Sequence, residues 1–220
     1  IAVLYTWGED YIPVKNMKYG ITTNEVGKEI GFRNGDKIIS VDGQEFERFK
    51  EIQKEILLSD EKTVQIEREG NKQEIKITDA DIKSIIDSRS TFLGVRTEFI
   101  IDSVLEKSNA EIAGIKKGDK FIGVNDSSLQ FFDEFVNFFK SNKGSTAQVN
   151  ILRGSSRRTL EVDIDTMGMI GVSTLPSAGI ELEHKDYTFI ASIPAGLQMG
   201  AEQLRDYLRQ FKLIFNPETE

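Results

Sequence analysis

Apolar and polar positions follow one pattern twice along this chain. The segment from Gly31 to Gly43 (GFRNGDKIISVDG) recurs 83 residues later, from Gly114 to Asp126 (GIKKGDKFIGVND). Each copy predicts the end of a helix, a tight Gly-Asp turn, a short buried strand and a second polar turn. Glycine suits the tight turn because it reaches left-handed backbone angles at little cost. The chain therefore contains an internal repeat.

The repeat continues through a helix and two further strands. Alternating residues predict paired strands near 64–68 and 149–153, each followed by another strand. Before these strands, apolar residues spaced i, i+3, i+7 predict half-buried helices at about 45–58 and 129–142. These residues are Phe49, Ile52 and Ile56 in the first copy and Phe132, Phe135 and Phe139 in the second. The second helix has two more phenylalanines, Phe131 and Phe138, which we assign to the core, the alternatives being a groove or a domain contact.

Both ends of the chain are apolar. Residues 1–4 are far too few for a membrane span, which needs about 20. With Tyr5, Trp7 and Tyr11 they fit either an aromatic belt at a membrane interface or a first strand. Since the chain begins with Ile1, we expect a fragment or a processed product. Near the other end, apolar residues after Pro194 predict a helix that either lies in a membrane interface or packs on the modules, the latter favoured by periodicity: Ile193, Leu197, Leu204, Leu208 and Phe211.

Composition excludes several classes of function. The chain has 220 residues, no Cys and one His, which removes disulfides, thiolate catalysis and the two-His zinc motif of metalloproteases. We expect His184 to be a solvated residue at the end of a strand. The 28 basic against 36 acidic residues give a net charge of −8, which argues against nucleic acid as a partner.

The Gly-Asp repeat resembles a known signature. Ala113–Asp119 (AGIKKGD) followed by an apolar strand is similar to the signature of bacterial PDZ domains, and Ile30–Gly43 matches it in strand and turn. The resemblance implies an α+β fold of two small PDZ domains, partly open β-barrels or sandwiches capped by helices, plus a C-terminal amphipathic helix. We place the domains at 14–98 and 99–178, between a membrane-proximal stub at 1–13 and a membrane-proximal strand and helix at 179–220.

PDZ domains bind a peptide as an added strand, and an apolar-Gly-apolar loop holds its carboxylate. Two loops fit this pattern. Each follows its own Gly-Asp turn, which predicts circularly permuted domains with the ligand strand last. The alternative connectivity assigns the earlier loop to the second domain. The candidate peptide-binding residues are Phe92, Leu93, Gly94 and Val95, and Met169, Ile170, Gly171 and Val172.

The whole arrangement resembles the extracytoplasmic segment of bacterial site-2 proteases of the regulator-of-sigma-E type. The resemblance implies a parent intramembrane zinc metalloprotease whose zinc and catalytic residues lie in membrane helices outside this chain, so none is assigned here. It implies a periplasmic module that gates membrane-anchored, anti-sigma-factor-like substrates, either by capturing their trimmed C-termini or as a size filter. Both chain ends would then meet the membrane interface, through Trp7, Leu204, Leu208 and Phe211.

Two other classes of protein remain open. One is the PDZ tandem of a soluble periplasmic serine protease of the high-temperature-requirement type. The other is a scaffold that binds peptides without any enzymatic activity. Neither explains why both ends of the chain are apolar.

Overall fold

The computed structural model describes residues 2–58, 63–174 and 179–214, with side chains described as far as Leu208. The chain divides into two compact units. Unit 1 comprises residues 1–94 and 181–220, and unit 2 comprises Val95–Ile180. The expected domain boundaries, 14–98 and 99–178, set both chain ends apart, whereas here both ends group with unit 1.

The chain is a mixed α+β protein with small open sheets, as the sequence predicts. In chain order, the elements up to residue 95 are α1 (Ala2–Trp7), β1 (Glu9–Tyr11), a 3-10 turn (Val14–Asn16), β2 (Ile21–Thr23), α2 (Glu25–Ile30), β3 (Lys37–Val41), α3 (Phe49–Leu58), β4 (Thr63–Arg68), β5 (Asn71–Lys76), α4 (Asp79–Asp87) and β6 (Leu93–Val95). The remaining elements are β7 (Ile101–Val104), α5 (Asn109–Ile112), β8 (Lys120–Val124), α6 (Phe132–Ser141), β9 (Thr146–Arg153), β10 (Ser156–Asp163), β11 (Val172–Thr174), β12 (Glu183–Lys185) and α7 (Phe189–Ile214).

The two units repeat one topology. Unit 1 has a sheet in the order β3-β4-β5 and a separate pair β2-β6, while unit 2 has β8-β9-β10 and the pair β7-β11. Both three-stranded sheets are antiparallel, and both shift register at the same place in the strand that follows the Gly-Asp turn. The helices that follow, α3 and α6, bury the predicted apolar stripe against these strands, with the exception of Phe132.

A buried ion pair closes each copy of the repeat. Arg68 holds both carboxylate oxygens of Asp36, at 2.7 and 2.8 Å, and donates to the Gly31 carbonyl at 2.7 Å. In unit 2 the same three bonds join Arg153 to Asp119 and to the Gly114 carbonyl. The arginine at the end of β4 or β9 therefore hydrogen-bonds both the Gly-Asp turn and the end of the preceding helix, and so holds the two together.

The core of unit 2 is rich in aromatic side chains. Phe99, Phe121 and Phe135 pack with ring centroids 4.5–5.5 Å apart. Phe138 lies partly buried against this core, as expected. Phe131 instead lies under the Arg96 guanidinium, 3.8 Å from its ring centroid, because Arg96 also pairs with Asp133 on the first turn of α6.

The two chain ends differ from expectation in their local structure. The apolar start forms the helix α1, and only Glu9–Tyr11 is a strand. Helix α7 begins at Phe189, five residues before Pro194, which lies inside it. The Thr188 hydroxyl accepts a bond from the Ala191 N–H at 3.3 Å, so Thr188 supplies the N-terminal cap. Near a helix start, proline removes only one hydrogen bond.

Candidate functional site

A groove of about 670 Å³ runs along unit 2 between helix α6 and the loop that leads into β11. Phe132, Val136 and Phe139 form the helix wall, and the predicted loop from Met169 to Val172 forms the opposite wall. Phe132 was predicted to be core, but it is 37% exposed: its ring packs edge-to-face on Phe99 at 5.1 Å and also lines this groove. All four predicted residues of the second loop thus line one apolar cleft.

Asp165 organises the loop. Its Oδ1 accepts hydrogen bonds from the N–H groups of Met167 and Met169, both at 2.8 Å. Its own N–H donates to the Met169 carbonyl at 3.0 Å. Gly168, with φ of +82°, closes the turn, and a Cβ at this position would lie 2.9 Å from the Lys140 Cα atom. The turn therefore requires glycine both for its backbone angle and for the close approach of α6.

The Ile170–Gly171 segment presents backbone donors. The carbonyl of Ile170 accepts from the Ala110 N–H at 2.8 Å, and that of Gly171 accepts from the Leu105 N–H at 3.0 Å. Within the described part of the chain, the N–H groups of Ile170 and Gly171 have no acceptor. Gly171 has φ of +86°. Successive N–H groups around a left-handed residue form a concave site suited to an anion.

The groove is lined mostly by apolar side chains, with the acidic Glu106 and Asp165 also among them. Ile170 is buried, whereas Met169 is 52% exposed. Lys107 and Lys140 also line the groove. The arrangement can hold a carboxylate at the donors and an apolar side chain in the cleft below them.

The matching loop in unit 1 has a different geometry. Phe92 and Leu93 are buried. Gly94 lies outside the left-handed region, and the strand that it shares with Val95 pairs with β2. The Gln53 Nε2 atom on α3 donates to the Leu93 carbonyl at 2.8 Å. The structure therefore places both predicted loops beside their groove helices, but only the second has its glycine in the left-handed region.

Sequence reasoning missed the residues that shape the second loop. Asp165 and Gly168 lie four residues or fewer from the predicted loop, and their Asp-x-x-Gly spacing is a turn signal. Val136 lies on the predicted groove helix between two phenylalanines. The periodicity of α6 favours buried positions, so it does not distinguish core from cleft.

The predicted membrane-proximal residues lie on two helices that pack against each other. Trp7 on α1 is 70% exposed, and Leu204 and Leu208 on α7 are 62% and 64% exposed. The side chain of Phe211 lies outside the described residues. Tyr5 and Phe189 join the helices by an edge-to-face ring contact of 5.7 Å. We call the exposed apolar residues of α1 and α7 the terminal apolar surface.

Next to this surface lies a polar cluster, which we call the clasp, formed by Asp10, His184 and Asp186 on and beside strands β1 and β12. Strands β1 and β12 pair antiparallel, with Glu9 opposite Lys185. His184 Nδ1 lies 2.6 Å from Asp10 Oδ1, and its Nε2 lies 3.0 Å from Asp186 Oδ1. The hydrogen bonds to Asp10 and then Asp186 raise the pKa of His184 above its ordinary value. His184 is thus at a strand, as expected, but it also joins the two ends of unit 1.

The described residues contain neither a metal-binding cluster nor a membrane span. No group of three or more His, Cys, Asp or Glu side chains there is placed to hold a metal ion. These residues therefore do not fit a zinc site, and we derive no zinc chemistry from them. Among the same residues, no helix combines the length and the apolar character that crossing a bilayer requires.

Comparison with known proteins links part of the chain to a protease. No family model matches the chain. A stretch of 80 residues is 30% identical to the zinc metalloprotease RasP of Geobacillus kaustophilus (strain HTA426), covering 33% of this chain and 19% of that protein. The chain therefore matches about a fifth of the length of this relative.

Solved structures with local similarity include the PDZ domain of an SdrC-like protein from Listeria monocytogenes. It has a TM-score of 0.32 and 20% identity, over 42% of this chain and 99% of that chain. An aminopeptidase N family protein from Idiomarina loihiensis has a TM-score of 0.25 and 17% identity, over 41% of this chain and 15% of that chain. Neither TM-score is high enough to argue for a fold or a function.

Proposed function

We propose that this chain is a regulatory peptide-binding module that holds the C-terminus of a protein substrate as an added strand in the groove of unit 2. The observation that supports this most directly is the pair of N–H groups at Ile170 and Gly171, which have no acceptor among the described residues and lie beside an apolar cleft. An extended peptide would pair with the free edge of β11 and place its carboxylate at these donors. Its last side chain would occupy the cleft beside Val136.

The two units are, in this proposal, circularly permuted PDZ domains. The pairings β2-β6 and β7-β11 support this connectivity, because each candidate ligand strand comes last in its own copy of the repeat. The same pairings disfavour the alternative in which residues 92–95 serve the second domain.

The parent protein in this proposal is a site-2-type zinc metalloprotease in a bacterial cell membrane. The partial identity to a zinc metalloprotease supports it. The module would lie outside the cytoplasm and gate membrane-anchored substrates that a first protease has trimmed, since trimming creates a new C-terminus. The catalytic residues and the zinc would belong to other parts of that protein.

The terminal apolar surface would rest on the membrane interface in this arrangement. Helix α7 has polar residues between its exposed apolar ones, as interfacial helices do. Trp7 and Tyr207 are of the type enriched at such interfaces. Because the chain has a net charge of −8, this contact would be driven by apolar burial and not by attraction to anionic lipid.

Peptide titration tests the capture of C-termini. An acetylated peptide ending in Leu with a free carboxylate is titrated into the protein by calorimetry, beside the same peptide ending in a carboxamide. We expect saturable binding of the acid, with a Kd below about 1 mM, and binding of the amide at least tenfold weaker. Equal binding of both peptides would contradict the role of the donors, and no binding of either would leave the size filter as the mechanism of gating.

A pair of glycine variants localises the binding. Gly171→Ala places a Cβ against Ser108 and strains a left-handed residue, so we expect peptide binding to be lost. Gly154→Ala strains a residue of similar φ, +61°, in the β9–β10 hairpin, where a Cβ has open space. It should bind the acid as the unmodified protein does. Equal loss in both variants would mean that destabilisation of unit 2 causes the effect.

A further inference from the structure

Strand β10 is the outer strand of the sheet in unit 2, where the order is β8-β9-β10. The Ile164 N–H, one residue beyond β10, donates to the Ser145 carbonyl at 2.8 Å, on the side of β9. Successive residues of an antiparallel strand bond to the neighbouring strand and away from it in alternation. Arg157, Thr159 and Glu161 therefore point their N–H and C=O groups away from β9.

Helix α5 marks where this open edge ends. The Asp163 carbonyl, which also points away from β9, accepts a hydrogen bond from Asn109 Nδ2 on α5 at 2.8 Å. The outward backbone groups of the other three residues have no hydrogen-bond partner among the described residues. The open edge therefore extends from residue 156 to residue 162, and Thr159 lies at its centre.

A second copy of the chain fits this edge in an antiparallel pairing about Thr159. A two-fold axis there places Thr159 opposite the same residue of the other copy, and Arg157 opposite Glu161 on either side. The side chains of all three residues are exposed. Because these residues face outward, each opposed pair can exchange two N–H···O bonds. Opposite charges and paired threonines directly across from each other stabilise such a ladder, so the edge is complementary to itself.

The corresponding edge of unit 1 would repel a second copy. The Asp42 N–H, just after β3, donates to the Thr63 carbonyl at 2.8 Å. Lys76, which lies opposite Thr63 on β5, therefore faces away from β4, as do Glu74 and Lys72 by alternation. The same two-fold pairing would place Lys72 opposite Lys76 and Glu74 opposite itself. Like charges directly opposite each other destabilise a ladder, and lysines commonly protect edge strands.

We propose that the chain forms a symmetric homodimer in which the β10 strands of two copies pair antiparallel about Thr159 and join their unit 2 sheets into one. The unit 1 edge takes no part, because its charges oppose the same pairing. The inference stands apart from the proposed function, since the peptide groove lies at α6 and β11 and not at β10.

Sedimentation velocity of the whole chain tests the proposal. The ladder is short and exposed, so we expect a reversible dimer with a Kd on the order of 10–100 μM. The amide NMR signals of residues 157, 159 and 161 should shift with protein concentration, whereas those of residues 72, 74 and 76 should not. A chain that stays monomeric at about 300 μM would overturn the homodimer.

Charge reversal tests the pairing itself. Arg157→Glu and Glu161→Arg each place like charges across the two-fold axis, and we expect each to weaken dimerisation at least tenfold. An equal mixture of the two variants restores opposite charges at both positions, so it should form a heterodimer. Glu74→Lys reverses a charge on the β5 edge and is the control, which should dimerise as the unmodified chain does.

The outcomes separate the interface from its register. Amide spectra of the monomeric variants establish that each is folded. Dimerisation that persists in both single variants, or an equal loss in Glu74→Lys, would overturn the β10 edge as the interface. Folded single variants that stay monomeric when mixed would overturn the pairing of Arg157 with Glu161 about Thr159.

Discussion

Arg153 and Asp119 lie 34 positions apart in sequence, yet the Arg153 guanidinium holds both carboxylate oxygens of Asp119 at 2.7 Å. Asp119 is fully buried, with an exposed fraction of 0%. The Lys116 N–H also donates to it at 2.8 Å. A turn that looks purely local in the sequence is thus fixed by a side chain at the end of the neighbouring strand, β9.

Removal of the arginine should destabilise unit 2. Arg153→Ala leaves a buried carboxylate without its partner, which costs on the order of 3 kcal/mol in comparable sites. Arg157→Ala on the exposed edge of β10 is the matched control and should cost less than about 0.5 kcal/mol. Urea unfolding followed by NMR signals of unit 2 measures both, and equal stability of the two variants would contradict the assigned role.

Acid should weaken the same turn. Burial alone would raise the pKa of Asp119, but the hydrogen bonds from Arg153 and the Lys116 N–H outweigh it, and the pKa lies below its ordinary value. A depressed pKa contributes stability that is present above the unfolded value, about 3.9, and is lost as pH falls through the folded value. The protection factors of the β8 amides, which correct for the intrinsic pH dependence of exchange, should therefore fall between pH 5 and pH 2, and less so in Asp119→Asn. An identical pH dependence in that variant would contradict this account.

The clasp between β1 and β12 should respond to pH in the opposite sense. The pKa of His184 is raised by Asp10 and Asp186. Its contribution is fully present below the unfolded value, about 6.5, and is lost as pH rises through the folded value. The melting temperature of unit 1, followed by Trp7 fluorescence, should fall across this range in the unmodified protein. His184→Gln should flatten the change, whereas a parallel fall in the variant would assign it to other groups.

The terminal apolar surface predicts binding to neutral lipid. Replacing both Leu204 and Leu208 by Glu should abolish co-sedimentation with phosphatidylcholine vesicles, since charged side chains would replace the apolar contact. Gln203→Glu adds one charge to the same helix and is the control. Because both leucines are mostly exposed, the melting temperature should change little. Unchanged sedimentation of the double variant would exclude α7 from any membrane contact.

Helix α6 and its loop should tolerate no side chain at Gly168. A Cβ there would lie 2.9 Å from Lys140 Cα and 3.1 Å from the Phe139 carbonyl, both main-chain atoms that cannot move independently of the helix. We expect Gly168→Ala to destabilise unit 2 by about 1–2 kcal/mol and to weaken peptide binding at least tenfold by moving the loop from the helix. Gly144→Ala has a similar φ of +70° and open space around it, so any loss that it shows measures backbone strain alone.

The sequence predicted those parts of the fold that depend on local spacing. The Gly-Asp turns, the strands after them and the buried stripe of Phe49, Ile52 and Ile56 are confirmed. The loop from Met169 to Val172 was predicted from glycine between apolar residues, which is a local signal, and it lines the cleft; its peptide-binding role stays a prediction.

What the sequence could not predict depends on contacts across the chain. The pairing of Arg153 with Asp119 needs the β9 register, and the exposure of Phe132 needs the position of the loop that faces it. Gly94 and Gly171 look equivalent in sequence, but Gly94 lies within β6 beside Thr22, whereas Gly171 precedes β11 and has a positive φ. The start of α7 at Phe189 was missed because Pro194 suggested a later beginning.

The pairing of β1 with β12 also determines how the molecule would respond to force. Residues 9–11 and 183–185 form three pairs, and the chain between them, all of unit 2 included, forms a loop that starts and ends at this short ladder. A pull on the two flanking helices would act first on Glu9 and Lys185 and would open the ladder one pair at a time. The hydrogen bonds between β1 and β12 would thus break before the force reaches the sheets of either unit.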